Sequence, residues 1–146
     1  MFRGLPLRNG DMCRSQTQFA HFYEGWGFFG TLTVLTVDAM FDVRVSAPST
    51  LRVQGTAAVL PRPIHLNGPG WTFLPCPYQR SVALEEGVPT GVSFSLGDQV
   101  MDRLLFSVYY PSQGWFGSLK TFKPGTGYKL KVNAKGGLAT FQSRDA

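Results

Sequence analysis

Tyr128-Lys129-Leu130-Lys131-Val132 alternates strictly between large apolar and charged residues. That period of two predicts a strand with Tyr128, Leu130 and Val132 facing a core and both lysines facing water. Upstream, Phe106–Tyr110 and Trp115–Leu119 flank Pro111-Ser112-Gln113-Gly114, and aromatic and β-branched runs around such a turn predict a hairpin. Trp71–Leu74 reads as a further strand, stopped by Pro75 and Pro77. Pro124-Gly125-Thr126-Gly127 reads as a turn, and Gly136-Gly137 leads into a last strand near Leu138 to Phe141. Val100, Leu104 and Val108 recur at a spacing of four, which fits either a short helical turn or a bulged loop. The expected fold class is all-β: an antiparallel sandwich or an open barrel.

Sliding the chain against itself by 87 positions brings a second pattern into register. Gly10-Asp11 falls on Gly97-Asp98, Phe19 on Phe106, and Phe22-Tyr23 on Tyr109-Tyr110. Gly27-Phe28-Phe29-Gly30-Thr31-Leu32 falls on Gly114-Trp115-Phe116-Gly117-Ser118-Leu119, and Phe41–Val45 falls on Tyr128–Val132. No gap is needed from Gly10 to Gln54, and about a quarter of the positions are identical, as expected of an internal repeat. The earlier copy keeps the alternation, with Phe41, Val43 and Val45 expected inward and Asp42 and Arg44 outward. Residues 1–54 are then a partial repeat and 55–146 a complete one, the two expected to pack as one β unit. The earlier copy has no counterpart of the strand at Trp71–Leu74. A repeat that cannot bury its apolar face alone looks for a partner, so self-association or stacking on a neighbouring repeat is expected.

Composition narrows the class further. Gly 17, Pro 10 and 14% aromatics among 146 residues favour short strands and turns, and 16% charge argues against disorder. The net charge is +5, but the lysines at 120, 123, 129, 131 and 135 are spread out rather than set in a recognisable nucleic-acid module, so no nucleic-acid partner is expected. No apolar run approaches the ~20 residues of a membrane span. The opening Met1-Phe2-Arg3-Gly4-Leu5-Pro6 has no apolar stretch typical of a signal peptide, so a secreted protein would be represented here in processed or excised form.

The string Gly97-Asp98, Phe106, Tyr109-Tyr110, Gly114-Trp115-Phe116-Gly117-Ser118-Leu119, Phe122 and Pro124–Leu130, preceded by Gly70-Trp71-Thr72-Phe73-Leu74-Pro75, resembles a repeat module of large secreted and cell-surface, adhesin-like proteins. Their pattern runs GW-x-x-x-x-P, GD, F-x-x-Y-Y, GW-x-GSL, PG-x-GY-x-LK. Arg14-Ser15-Gln16 stands where that pattern has Lys-Ser-Gln. Two departures occur: Val37-Asp38-Ala39-Met40 replaces the Pro-Gly-x-Gly turn of the earlier copy, and Met101-Asp102-Arg103 replaces Lys-Ser-Gln in the later one. The resemblance implies an extracellular or surface location and a structural role. It brings no catalytic residues with it.

Candidate chemistry is sparse. His21 matches Val108 in the other copy, which favours packing over ligation, and Cys13, His21, His65 and Cys76 lack the spacing of a zinc site. Cys13 matches Val100 and reads as a small core residue. A Cys13–Cys76 disulfide would need an oxidising compartment. Glu85-Glu86 reads as a solvated loop rather than a catalytic pair, and Asp11 and Asp98 read as turn or cap residues. Asp98 and Asp102 do not make up the oxygen cage that calcium requires. No catalytic, metal or cofactor site is therefore expected. Aromatics remain: Trp26, Tyr23, Trp115 and Tyr109 are the candidate ligand-binding residues, able to stack on sugar rings if exposed and forming hairpin core if not. Trp26, with Gln113 as its counterpart, is the one expected to be exposed. The expected function is a non-catalytic structural or adhesive module, with polysaccharide binding through an aromatic patch as the alternative.

Overall fold

The computed structural model describes Phe2 and residues 4–144. The chain divides into two compact units, Met1–Thr56 and Ala57–Ala146. Nearly all regular structure is antiparallel strand, and none of the sheets among the described residues closes into a barrel.

In the first unit, β1 (Met12–Arg14), β2 (Phe19–Tyr23), β3 (Gly27–Gly30) and β4 (Asp42–Arg44) form one sheet in the order β3-β2-β1-β4. In the second unit come β5 (Arg62–Leu66), β6 (Gly70–Leu74), β7 (Val82–Ala83), a single helical turn α1 (Leu84–Gly87), β8 (Gln99–Met101), β9 (Phe106–Tyr110), β10 (Gly114–Gly117), β11 (Thr121–Phe122), β12 (Tyr128–Val132) and β13 (Gly137–Phe141). Its large sheet runs β10-β9-β8-β12-β6, while β13 pairs with β5 and β11 with β7. The inner side chains of the large sheet, among them Val100, Trp115, Tyr128, Leu130 and Val132, form one core with Ile64, Leu66, Val82, Phe122, Ala139 and Phe141 of the short ladders. This is an all-β sandwich. Strand β12 runs between β8 and β6 of the large sheet, with buried Tyr128, Leu130 and Val132 alternating with lysines. Each such aliphatic side chain removed from water contributes about 2 kcal/mol.

The segment carrying Val100, Leu104 and Val108 is not helical. It forms strands β8 and β9 around a tight turn at which Asp102 Oδ1 accepts the Leu104 and Leu105 N–H groups (2.8 and 2.7 Å). In the first unit Ser15 Oγ accepts the Thr17 and Gln18 N–H groups at the matching turn (3.4 and 3.1 Å). A carboxylate and a hydroxyl do the same work there, so the departure at Met101-Asp102-Arg103 leaves the hairpin intact.

The two sheets correspond strand for strand except at one edge. Strand β12 pairs with β6 along its whole length, Tyr128 opposite Leu74 and Val132 opposite Gly70. Its counterpart β4 pairs only with β1. Residues 34–35 and 50–54, which match β11 and β13, are not strands, and among the described residues no strand of the first unit pairs with them as β7 and β5 pair with β11 and β13 in the second. Without that second layer the first unit has only a small core of Cys13, Ala20 and Leu32, with Phe2, Leu35 and Phe41 packed around it. Val43 and Val45 therefore lie on the core side but stay 45% and 38% exposed, whereas Leu130 and Val132 are fully buried. Alternation sets the direction of a side chain; its burial needs a facing layer.

Candidate functional site: the outer face and free edge of the first sheet

The β2–β3 hairpin sets its aromatic residues on two faces. Ala20, Phe22 and Phe28 share the core side, since Phe22 sits opposite Phe28. Phe19, His21, Tyr23 and Phe29 share the outer side, with Phe29 opposite His21. There Phe19 meets His21 edge-on at 5.4 Å between centroids, and Tyr23 meets Phe29 at 5.8 Å. Phe19, Tyr23 and Phe29 are all exposed. At the turn the Trp26 N–H donates to the Tyr23 carbonyl (3.0 Å), and the indole is 81% exposed.

Of the four candidate residues, Trp26 and Tyr23 lie on this one hairpin. Trp115 and Tyr109 lie opposite each other across β9 and β10 of the other unit. Trp115 is only 8% exposed, and its ring packs at 5.1 Å from both Phe94 and Tyr109. These two belong to the aromatic wall of the second core, so only Trp26 and Tyr23 offer open ring area. The second unit has its own outer aromatic face: Tyr110 stacks edge-on with Phe116, and Lys129 and Lys131 lie 4.9 and 5.9 Å over the rings of Phe73 and Trp71. Neither Phe73 nor Trp71 is set apart by local sequence as an outer-face aromatic. Their position opposite the outward lysines of β12 marks them, but only once strand order is known.

Polar groups mostly serve the frame. Asp98, fully buried, accepts the Ser95 N–H (2.9 Å) and the Asn133 N–H (2.8 Å). Asp11, also buried, accepts the Arg8 N–H (2.9 Å), the Ser46 N–H (2.9 Å) and the Ser46 hydroxyl. The Ser46 hydroxyl, with the Arg8 N–H behind it, holds the Asp11 carboxyl below its ordinary value. Glu85 is not simply a solvated loop residue, because its Oε1 accepts the Trp115 N–H at 2.6 Å and so ties α1 to β10. Tyr78 donates its hydroxyl to the Gly87 carbonyl (2.7 Å), and burial pushes its phenol up to about 12. The two thiols are free, Cys13 in the first core and Cys76 against the second, and burial raises both. Among the described residues no group of three His, Cys, Asp or Glu is placed to hold a metal ion, and no helix is long and apolar enough to cross a membrane.

β3 and β4 are both edges of this sheet, and β4 is the one that carries charge. Arg14 and Asp42 sit opposite each other across β1 and β4, and form an ion pair at 3.2 Å on the outer face. Being exposed, the pair contributes about 0–1 kcal/mol. Arg44 lies two residues along the same face, opposite Met12. No family model, curated protein or solved structure matches the chain.

Proposed function

We propose that this chain is a non-catalytic structural and adhesive repeat module of the extracellular space or cell surface, which self-associates or stacks head-to-tail in a layer or fibre. One observation carries this reading: the frame of the first unit recurs bond for bond in the second, 87 residues on. Gly10 N–H to Phe22 carbonyl matches Gly97 N–H to Tyr109 carbonyl (both 3.1 Å). Phe22 N–H to Asp11 carbonyl matches Tyr109 N–H to Asp98 carbonyl (2.7 and 2.8 Å), and Leu32 N–H to Phe19 carbonyl matches Leu119 N–H to Phe106 carbonyl (2.9 and 3.1 Å). Both aspartates make the same two backbone contacts. Two copies of one small unit, the earlier with a single layer, suit an array in which neighbours complete one another. The test is the mass of the purified protein in solution over a wide concentration range. Growth beyond the 16.1 kDa chain supports the reading, and a constant monomer removes it.

A second reading, a carbohydrate-binding module, is favoured by the exposure of Trp26 beside Tyr23 and Phe29. Aromatic faces of this kind stack on sugar rings. Titration with soluble polysaccharides would then shift the tryptophan fluorescence, and Trp26→Ala would fold normally yet lose the response.

A further inference from the structure

We infer that β4 is the self-association edge, pairing antiparallel with β4 of a second copy about a two-fold axis through Val43. This rests on the self-associating reading above and names the surface that carries it.

Backbone direction comes first. The Ser15 N–H donates to the Gln18 carbonyl (2.9 Å) and closes the β1–β2 hairpin. Alternate residues of an antiparallel strand turn both backbone groups to the same side, so Cys13 also faces β2, while Met12 and Arg14 face β4. Their partners Arg44 and Asp42 turn back toward β1, as does Ser46, whose N–H reaches Asp11. Phe41, Val43 and Val45 are left with N–H and C=O directed off the sheet. A strand edge with unpaired groups is a template for another strand.

Charge then selects the occupant. In a two-fold pair centred on Val43, Asp42 of one copy lies directly opposite Arg44 of the other, twice over, and Phe41 lies opposite Val45. Directly opposite residues share a face, so both charge pairs form on the outer side, and each extends an Arg14–Asp42 ion pair into a row of three alternating charges that ends on Arg44 of the other copy. The apolar side chains meet on the core side, where they are now half exposed. A shift of two residues either way leaves both charges without partners. A strand like β6 satisfies only one of the two charges: its Trp71 would take Arg44 as it takes Lys131, but the Phe73 face that attracts Lys129 repels the carboxylate of Asp42. In the second unit the same two-fold pairing would set lysine against lysine, and β6 already occupies that edge.

The experiment is sedimentation velocity on the full chain and three variants, with circular dichroism to confirm folding. The parent should form a dimer. Arg44→Asp sets two aspartates against two aspartates and should weaken the dimer at least tenfold. The exchange Asp42→Arg with Arg44→Asp restores opposite charges and should recover most of that loss. Val43→Pro removes an outward N–H at a position where an edge strand tolerates proline, and should give a folded monomer. If the parent associates but all three variants associate equally, the β4 assignment falls while self-association stands. A parent that stays monomeric overturns both. A monomer that binds an added peptide of the Gly70–Leu74 sequence at this edge assigns β4 to a β6-type strand and overturns the pairing of like strands.

Discussion

The Asn133 N–H donates to Asp98 Oδ1 at 2.8 Å, joining the end of β12 to the turn that opens β8. The same carboxylate holds the Ser95 N–H, so one buried side chain closes a turn and pins a strand 35 residues away. Truncating it takes the acceptor from two backbone donors, at about 1–3 kcal/mol for each unmade bond. Asp98→Ala should destabilise the second unit by about 3 kcal/mol in urea unfolding. Asp98→Asn, which keeps one acceptor, should cost less.

In the first unit the matching group adds a pH dependence. Folding lowers the Asp11 carboxyl below its ordinary 3.8, mainly through the Ser46 hydroxyl. The stability it contributes is therefore present above pH 3.8 and lost as pH falls through the lower, folded value. Asp11→Asn should be less stable than the parent at neutral pH, and the gap should narrow in strong acid. Thermal melts from pH 2 to 7 would read this directly.

Gly30 and Gly117 sit at matching places, with φ of +149° and +154°. A Cβ on Gly30 would lie 2.2 Å from the Phe19 carbonyl oxygen, and one on Gly117 would lie 2.3 Å from that of Phe106. Backbone cannot swing away as a side chain does, and the φ itself disfavours any other residue. Gly117→Ala should cost about 3 kcal/mol, and Gly30→Ala should loosen the smaller first unit. Gly125→Ala, at positive φ but in open space, should cost only about 1 kcal/mol. Comparing the three by denaturant midpoint separates steric clash from backbone strain.

At the alkaline end Tyr78 dominates. Burial raises its phenol from 10.0 to about 12, because the charged form would lose solvent. Its contribution to stability is complete below pH 10 and is lost as pH climbs toward 12. Tyr78→Phe removes the bond to the Gly87 carbonyl and should lower stability by about 1 kcal/mol at neutral pH. Above pH 10 the variant should lose stability less steeply than the parent. Absorbance titration of the phenols, run beside the melts, would show one fewer late-ionising tyrosine.

Strand β12, the β9–β10 hairpin and β6 were legible because each rests on local rules: a period of two, turn residues at the ends, prolines as stops. The stretch from Val100 to Val108 was ambiguous, since apolar residues four apart suit a helix or two strands around a turn. Asp102 decides it by capping the turn, which leaves Leu104 at the tip, 91% exposed. The inward direction of Val43 and Val45 could be read from alternation, but their exposure could not, because it depends on a layer contributed by other segments. The candidate aromatics behaved similarly. Trp26 stands out as a residue with no aromatic counterpart, and it is open. Nothing local distinguishes Tyr109, on the core side of β9, from Tyr110 on the other, beyond the parity of their positions in a strand whose packing partner lies elsewhere in the chain. Glu85 was read as solvated because it stands in a polar stretch, yet its bond to Trp115 spans 30 residues and leaves no trace in local sequence.

Each unit holds one free, sheltered thiol, Cys13 in the first and Cys76 in the second. Thiolate is the reactive form, and burial suppresses it, so labelling of the buried Cys13 must wait for the surrounding strands to part, whereas the half-buried Cys76 is within partial reach of a reagent. The first unit thus carries its own clock, with a faster reference thiol in the second. Mass spectrometry after brief exposure to an alkylating reagent, with Cys13→Ala and Cys76→Ala as controls, would time the opening of the single-layered unit at Cys13 against the partly open Cys76 in one sample.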